Sequence, residues 1–473
     1  MIAAGLVFAL LHVGSPDVFY EGPAGPYRLL VTVRPPQVIP GVAEIEIRSP
    51  DADVAELRIV PLRMAGPGAL YAPTPDQAHR SREDAQLYSG SLWIMEAGAW
   101  QVRILAQGAR GDGALSVPVP ALPARTAGMQ RALGGFLFAL LVLLGVGLCS
   151  IVGASTREAQ LEPGAKPTGQ RRRRARVGMV LAGAVVVLGV VLGNGWWNAE
   201  ASDYAEHVYK PLALDARVTP DGRLELALRD PGWLSWRRLD DLVPDHDHLL
   251  HLFVIRLPEM ERLWHLHPDA SGPGRFVETL PTLPAGRYAL FADIVHASGL
   301  FETAVTEIEL GERVGPELSG DDSAGPGPPL AQADFGRTTF PLAAGGRALW
   351  HQDGAPLRAR RVAWLRFSIE DADGRPAQSL EPYMGMAGHA AVVRRDRAVF
   401  AHLHPSGSVP MALLAQVNPQ AAHAMHGQGQ AQAPSAQIAF PYGFPQPGPY
   451  RLFIQWKRAG RIETAVFDAQ VMP

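Results

Sequence analysis

Histidines in short, regularly spaced groups are the residues of this chain best suited to chemistry. The sequence has 473 residues and 15 histidines, and 12 of these lie between His246 and His426. Five of them follow the pattern Pro-x-His-x-His-x-x-His, then a strand-like run and a turn, then His-Leu-His-Pro. Imidazole is a common ligand of copper and zinc. The spacing therefore predicts metal binding in this part of the chain.

The pattern occurs twice, and five positions in each copy carry candidate ligands. In the first copy these residues are His246, His248, His251, His265 and His267. In the second copy the equivalent residues are Met384, Met386, His389, His402 and His404. The motifs Gly-x-Tyr-x-Leu-Phe and Glu-Thr-Ala-Val follow in the same order in both copies. A period of about 140 residues indicates tandem domains, since solenoid repeats are much shorter.

The ligand types of the two copies predict different metals. Alternate residues of an extended segment lie on one face, so each His-x-His or Met-x-Met pair is expected to point the same way. The following turn then folds the pair toward His-Leu-His-Pro, which predicts one independent site per copy. Thioether favours Cu(I), so we expect Cu(I) in the second copy. The three imidazoles of the first half-motif predict Cu(II) in the first copy, with zinc as the alternative.

A loop rich in Gln, Ala and Gly, residues 406–436, occurs only in the second copy. It contains His423, Met425 and His426, which we predict to be further metal ligands that help to load copper. The alternative is a polar insertion without a metal role. His296 has no histidine at its equivalent position in the second copy and is expected to be structural.

Two apolar stretches predict membrane helices over residues 131–155 and 177–197, because each is long enough to cross a bilayer. The connecting loop, residues 156–176, has seven Lys and Arg against two Glu. Short loops with such a basic excess stay in the cytoplasm. Both flanking regions are therefore predicted to lie outside it, and a bacterial inner membrane is the expected location. The apolar run of residues 1–14 is predicted to be a signal peptide or an N-terminal anchor.

Short alternating or β-branched runs separated by Gly and Pro turns fill the remaining sequence and predict a mainly β fold built of sandwiches. We expect one N-terminal sandwich over residues 15–123 and two tandem ones, repeat one over residues 205–312 and repeat two over residues 335–473. The Gly/Pro/Asp-rich stretch 313–334 is predicted to be a linker.

The stretch MGMAGHAAVV…VFAHLHP in a short exported β domain resembles the FixH-like and YtkA-like bacterial families, which are grouped with periplasmic CopC-like proteins. The resemblance covers about residues 360–470 and, through the repeat, 215–310. It implies immunoglobulin-like sandwiches and a role in copper handling or oxidase assembly. The duplication and the additional N-terminal sandwich depart from a single-domain FixH-like protein. The absence of an obvious N-terminal histidine on the metal domain departs from the CopC pattern.

Composition excludes several other functions. The chain has 43 Lys and Arg against 46 Asp and Glu, which gives no basic footprint for nucleic acid. Its single cysteine, Cys149, excludes disulfide frameworks and cysteine-based zinc sites. No nucleophile, general base or oxyanion hole is recognisable in the sequence, so we expect no enzymatic activity.

The predicted function is an integral inner-membrane protein that binds copper in the periplasm and passes it to an acceptor protein or a respiratory oxidase, in copper delivery, oxidase assembly or resistance. One alternative is a copper-dependent redox enzyme with two sites of different softness. The other is a non-catalytic β-sandwich scaffold of a membrane complex.

The basic loop generates a prediction about topology. A reporter that is active only in the cytoplasm should be active when fused after Arg174 and inactive when fused after Pro473. A periplasm-specific reporter should give the opposite pattern. A cytoplasmic C-terminus would contradict the proposed location of both repeats.

Overall fold

The structure is a computed structural model that describes residues 17–473, except for residues 52, 66–69, 127, 379 and 420–434. The predicted signal peptide or anchor, residues 1–14, lies outside this description, as do His423, Met425 and His426. The chain divides into two compact units. One consists of Met1–Ala124 with Tyr209–Pro473, and the other of Arg125–Val208.

The smaller unit contains two long apolar helices, α1 (Arg131–Glu158) and α2 (Gly169–Glu206). Both are long and apolar enough to cross a membrane. Helix α2 begins eight residues before the predicted apolar segment, because the arginine-rich run continues the helix and Thr168 caps its first turn. Most large apolar side chains of both helices are exposed.

The N-terminal region of the larger unit forms an eight-stranded sheet in the order β1-β2-β3-β6-β5-β4-β7-β8. Its strands are β1 (Val18–Ala24), β2 (Tyr27–Arg34), β3 (Gly41–Arg48), β4 (Val54–Arg63), β5 (Asp76–Arg80), β6 (Leu87–Ile94), β7 (Gly98–Gly108) and β8 (Gly111–Ala121). Strand β5 pairs with both β4 and β6. Buried residues from both halves of the sheet share one core, as the alternating sequence predicts.

Repeat one forms a nine-stranded sheet in the order β13-β14-β10-β9-β16-β15-β11-β12-β17. Its strands are β9 (Ala213–Val218), β10 (Arg223–Arg229), β11 (His251–Leu257), β12 (Arg262–Leu266), β13 (Asp269–Gly272), β14 (Arg275–Thr279), β15 (Gly286–Val295), β16 (Phe301–Leu310) and β17 (Ser323–Pro326). Strand β17 lies within the predicted linker and pairs with β12. The linker residues that follow repeat one in sequence therefore extend its sheet.

Repeat two forms a four-stranded sheet, β18-β19-β20-β24, and a five-stranded sheet, β21-β25-β22-β23 with β26 paired to β25. Its strands are β18 (Thr339–Pro341), β19 (Arg347–His351), β20 (Val362–Glu370), β21 (Leu380–Glu381), β22 (His389–Arg394), β23 (Phe400–Leu403), β24 (Gln437–Gly443), β25 (Gly448–Arg458) and β26 (Arg461–Val471). A short helix, α3 (Met411–Val417), follows β23. The fold is thus mainly β, as the sequence predicts.

The duplicated motifs occupy equivalent places in the two repeats. Repeat one contains the neighbouring strands β16-β15-β11-β12, and repeat two contains β26-β25-β22-β23. In each repeat the first half-motif leads into the first strand of a hairpin, and His-Leu-His-Pro ends the second strand. The shared sequence order therefore corresponds to a shared strand order.

The two repeats pack against each other through the hairpin sheets. One apolar cluster joins Phe253 and Phe291 of repeat one to Phe400 and Phe453 of repeat two. The rings of Phe291 and Phe400 stack with centroids 4.4 Å apart. Beside them the fully buried Arg451 pairs with Asp468 through two bonds of 2.9 and 3.1 Å. The same guanidinium donates to three backbone carbonyls of residues 259, 260 and 328, so it fastens repeat two to repeat one and its β17 extension.

Candidate metal centre

The first two candidate ligands of repeat one lie in a tight turn, whereas the sequence predicts an extended pair. Asp245 and His248 exchange two backbone hydrogen bonds, of 2.9 and 3.0 Å. The two residues between them, His246 and Asp247, have φ angles of 50° and 69°. Positive φ at both central positions is the geometry of a type I′ turn. His246 therefore lies in the turn, while His248 lies on the segment that returns to β11.

Repeat two has the same turn. Tyr383 and Met386 exchange backbone hydrogen bonds, and Met384 and Gly385 between them have φ angles of 49° and 77°. The His-to-Met exchanges thus fall on structurally equivalent positions of equivalent turns. Period-two reasoning fails at this point because a two-residue turn reverses the chain within the motif.

The hairpins bring the remaining histidines together. In repeat one His265 lies opposite Phe253, which places His267 across from His251 where the hairpin opens. In repeat two His402 lies opposite Ala391, which places His404 across from His389 in the same way. Each hairpin therefore presents three imidazoles at one end, as the spacing predicts.

The imidazoles of the two repeats form one continuous cluster. The ring centroid of His246 lies 5.0 Å from that of His389 and 5.1 Å from that of His404, both in repeat two. The ring of His402 lies 5.3 Å from His251 and 5.6 Å from His265, both in repeat one. The candidate ligands thus meet between the repeats.

Within this cluster His251, His265 and His267 form the first triad, with one nitrogen from each ring within 4.8 Å of the others. Their opposite nitrogens are held by acceptors. His251 Nε2 lies 3.0 Å from the Asp245 carbonyl, His265 Nδ1 lies 3.1 Å from Gln455 Oε1, and His267 Nδ1 lies 2.9 Å from Asp322 Oδ1. A neutral ring that donates from one nitrogen carries a lone pair on the other. The outer hydrogen bonds therefore leave His251 Nδ1, His265 Nε2 and His267 Nε2 as ligand atoms.

Two of these lone pairs face each other at short range. His251 Nδ1 lies 3.2 Å from His265 Nε2. With the outer hydrogen bonds in place, neither nitrogen carries a proton, so the contact lacks a donor. Two nitrogens bound tetrahedrally at about 2.0–2.1 Å would lie about 3.3 Å apart. The observed separation thus fits a pair of imidazoles prepared for one shared cation.

His246, His389 and His404 form the second triad, also with one nitrogen from each ring within 4.8 Å of the others. His404 Nδ1 lies 3.2 Å from the Val409 carbonyl, which leaves Nε2 as the ligand atom. The Nε2 atoms of His246 and His404 are buried and have no hydrogen-bond partner among the described residues. The same holds for both ring nitrogens of His389. Buried polar atoms normally form hydrogen bonds. A metal ion bound by this triad would supply the partner that these ring nitrogens would otherwise need.

His402 and His265 make matching contacts across the repeats. His265 of repeat one reaches Gln455 on β25, and His402 of repeat two places its Nδ1 3.5 Å from Asp293 Oδ2 on β15. Asp293 pairs with His251, and Gln455 pairs with His389, so the two partner residues occupy equivalent positions. His402 Nε2 is buried and has no hydrogen-bond partner within the part of the chain that the structure describes. It is therefore a further ligand candidate between the triads.

Burial keeps these imidazoles neutral. It lowers the pKa of His267 and His404 to about 3, with the neighbouring histidines adding to the effect. Burial and then neighbouring imidazoles also lower the pKa values of His251, His265, His389 and His402. Burial lowers the pKa of His246 as well, against the opposing charge of Asp245. Since only neutral imidazole binds metal, the cluster is in its ligand form at neutral pH.

A cavity of about 80 Å³ borders His402 and His404. Its lining includes the carboxylates of Asp245, Asp293 and Glu302. Burial raises the pKa of Asp293 to about 7, against the hydrogen bond from Thr303. The cavity thus places acidic oxygens beside the repeat-two ligands.

The remaining candidates are placed as follows. His248 stacks on His267 with ring centroids 3.9 Å apart, and its Nε2 lies 3.5 Å from Asp321 Oδ2. Met384 is buried and Met386 is half-buried, each in its turn. His296 is buried outside the cluster and bonds Asp241 and Glu302 through its two nitrogens, which agrees with a structural role. Although burial lowers it, these two bonds raise the pKa of His296 overall.

Sequence reasoning missed the residues that orient the imidazoles. They are Asp245, Asp293, Asp322, Tyr383 and Gln455. Asp293 and Gln455 could have been found, because each lies two residues after the shared motif Gly-x-Tyr-x-Leu-Phe. Asp322 lies in the predicted linker and carries no such mark.

Comparison with known proteins gives one family match. The model of a family described as a domain of unknown function (DUF8832) matches residues 345–473, which is most of repeat two. No curated protein matches the chain in sequence.

Solved structures give only distant similarity. A tetra-tandem repeat from the extending region of a large adhesion protein is 8% identical with a TM-score of 0.17, over 92% of this chain and 71% of that one. Dimeric latent PorU from Porphyromonas gingivalis is 8% identical with a TM-score of 0.15, over 97% of this chain and 34% of that one. A four-domain ectodomain fragment of ICAM-5 is 9% identical with a TM-score of 0.15, over 94% and 76%. Scores this low do not identify a shared fold.

The lowered pKa values generate a prediction for the metal-free protein. An unfolded histidine titrates near about 6.5, so below that pH the unfolded state binds protons that the folded cluster does not. The contribution of the cluster histidines to stability is therefore complete above about pH 6.5 and is lost as the pH falls toward the folded-state pKa values, which are about 3 for His267 and His404. Seven histidines act in this direction: His246, His251, His265, His267, His389, His402 and His404. They outnumber the five groups with raised pKa values that oppose them, which are Asp17, Glu278, Asp293, His296 and Asp322.

The test is the free energy of unfolding of chelator-treated protein, measured with denaturant between pH 7.5 and 5. Below about pH 6, where an unfolded histidine is mostly protonated, His404→Gln should reduce the pH slope by about one proton, which is about 1.4 kcal/mol per pH unit. Gln352→Asn, which changes an exposed side chain that does not titrate, should leave the slope unchanged. Equal slopes in the wild type and His404→Gln would contradict a neutral buried His404.

Proposed function

We propose that this protein binds copper in the histidine cluster between its two repeats. The observation that carries the proposal is the first triad, in which three outer acceptors orient three imidazoles so that their lone pairs converge. A purely structural cluster would use those nitrogens in hydrogen bonds. Orientation of each ligand by a hydrogen bond on its far nitrogen is the usual construction of a metal site.

The donor set favours copper. Both triads consist of imidazoles, which suit copper and zinc, and the equivalent turns add Met384 and Met386. Thioether favours Cu(I), whereas hard cations prefer oxygen ligands. Zinc remains the alternative for the first triad, because three imidazoles with one open position also form zinc sites.

Two triads in contact support two ions in one enclosed centre. Neither triad is built like a surface patch, since the side chains of His246 and His267 are only 7% and 3% exposed, and that of the neighbouring His402 is 7% exposed. His248 lies outside both triads, and its side chain is 27% exposed and stacks on His267. We propose that copper enters and leaves past His248 and along the acidic cavity beside His402. Ligand-by-ligand exchange along these residues would deliver the metal to an acceptor protein or a respiratory oxidase.

We propose that the centre lies outside the cytoplasm of a bacterium, anchored in the inner membrane. The two long apolar helices and the arginine-rich segment between their apolar parts support this location. The resemblance to FixH-like, YtkA-like and CopC-like proteins supports immunoglobulin-like sandwiches and copper handling in the same compartment.

A copper-dependent redox enzyme is the second candidate, and one observation favours it. The triads approach each other at His246 and His251, whose ring centroids are 6.2 Å apart, and His402 lies between them with its centroid 5.3 Å from that of His251. Two ions held there would be close enough to act on one small molecule together. In addition, the Tyr383 hydroxyl lies 3.3 Å from His265 Nδ1, which places an oxidisable side chain beside the first triad.

The proposal predicts that a residue of repeat one controls copper binding by repeat two. The purified full-length protein should bind two copper ions. His246→Ala should weaken the ion held with His389 and His404 by about tenfold or more, since losing even an orienting partner reduces metal affinity about 10–100-fold. The measurement is competition for Cu(I) with a colorimetric chelator.

His351→Ala is the matched control, because this exposed histidine of repeat two bonds Ser368 and lies outside both triads. It should bind copper as the wild type does. Wild-type protein that binds no copper would refute the proposed function. Unchanged copper binding in His246→Ala would refute the shared centre and would favour one independent metal site in each repeat.

A further inference from the structure

The two hairpins and their turns are related by approximate two-fold symmetry. His265 reaches from repeat one to Gln455, and His402 reaches from repeat two to Asp293 at the equivalent position. Phe291 and Phe400 stack between the sheets along the same interface. A contact made by a residue of one repeat therefore predicts the contact of its equivalent in the other.

His246 shows how the turns behave under this symmetry. It lies in the turn of repeat one, yet its ring lies among His389 and His404 of repeat two. It also bonds the backbone of Met384, the equivalent residue in the other turn. The two turns are therefore in contact, and the side chain of His246 in the turn of repeat one lies beside the triad histidines of repeat two.

Met384 occupies the same position in the turn of repeat two. Its φ angle of 49° matches the 50° of His246, and the residue is only 8% exposed. His246 of repeat one lies at the triad of repeat two. By the approximate two-fold symmetry, its equivalent Met384 of repeat two is expected to lie at the triad of repeat one. Met386 differs, because its equivalent, His248, stays with its own repeat and stacks on His267.

We propose that Met384 supplies a thioether ligand across the interface to the copper held by His251, His265 and His267. This inference rests on the proposed copper function. It assigns the sulfur of Met384 to the site of repeat one, whereas the sequence alone assigns it to repeat two. The first triad becomes a three-imidazole, one-thioether site, a donor set that stabilises Cu(I).

The test uses full-length protein loaded with Cu(I) and X-ray absorption spectroscopy, which distinguishes sulfur from nitrogen neighbours of copper. Two double variants isolate the sites. His389→Ala with His404→Ala retains the repeat-one triad, and His265→Ala with His267→Ala retains the repeat-two triad. Met384→Leu or Met386→Leu is then added to each, since Leu preserves apolar volume without a ligand atom.

We expect copper–sulfur scattering in the variant that retains the repeat-one triad, and its loss when Met384→Leu is added. Met386→Leu should leave that scattering in place. Three results would overturn the inference: scattering that survives Met384→Leu in this background, scattering that Met384→Leu removes only where the repeat-two triad is retained, or nitrogen neighbours alone in the starting variant. Wild-type protein that binds no Cu(I) would overturn the proposed function along with it.

Discussion

Imidazole nitrogens converge between two packed sheets, and the contacts around them must hold the two repeats together at that point. An unsatisfied buried donor or acceptor costs about 1–3 kcal/mol, and several ring nitrogens of the cluster, including both of His389, have no hydrogen-bond partner among the residues that the structure describes. Protonated imidazoles this close together would repel one another and cost still more free energy, so the rings stay neutral. The apolar contacts around Phe291 and Phe400 and the Arg451–Asp468 pair hold the repeats together around this unfavourable group. A bound cation would turn the same lone pairs into ligands and make the cluster stabilising.

The two repeats share the backbone geometry of the cluster and differ in some of the side chains placed on it. Both repeats carry the same turn, the same hairpin and the same three imidazoles, and the interface places these sets against each other. Three of the positions that differ lie at or beside the candidate ligands. Met replaces His twice in the turns, and Gln455 stands where repeat one has Asp293. The two halves of the cluster are therefore similar in backbone geometry and different in side-chain chemistry.

The sequence predicts much of the fold and the identity of the cluster. Alternating runs predict the strands, the apolar stretches predict both long helices, and His-Leu-His-Pro predicts paired imidazoles at a hairpin end. The packing of one repeat against the other cannot be predicted from the sequence in this way. The alternation of residues along a strand shows which face is buried, but it does not show which sheet packs on that face. The turn at His246 is also hidden: its central residues are His and Asp, without the glycine that marks Met384-Gly385 as a turn. The orienting residue Asp322 comes from a distant segment that only the tertiary fold brings to the first triad.

Anomalous diffraction at the copper absorption edge, from crystals of the copper-loaded protein, would show whether the two repeats bind copper together. We expect two anomalous peaks in the interface, one among His251, His265 and His267 and the other among His246, His389 and His404. Peaks confined to exposed histidines such as His351, or no peak between the repeats, would contradict a copper centre shared by the repeats.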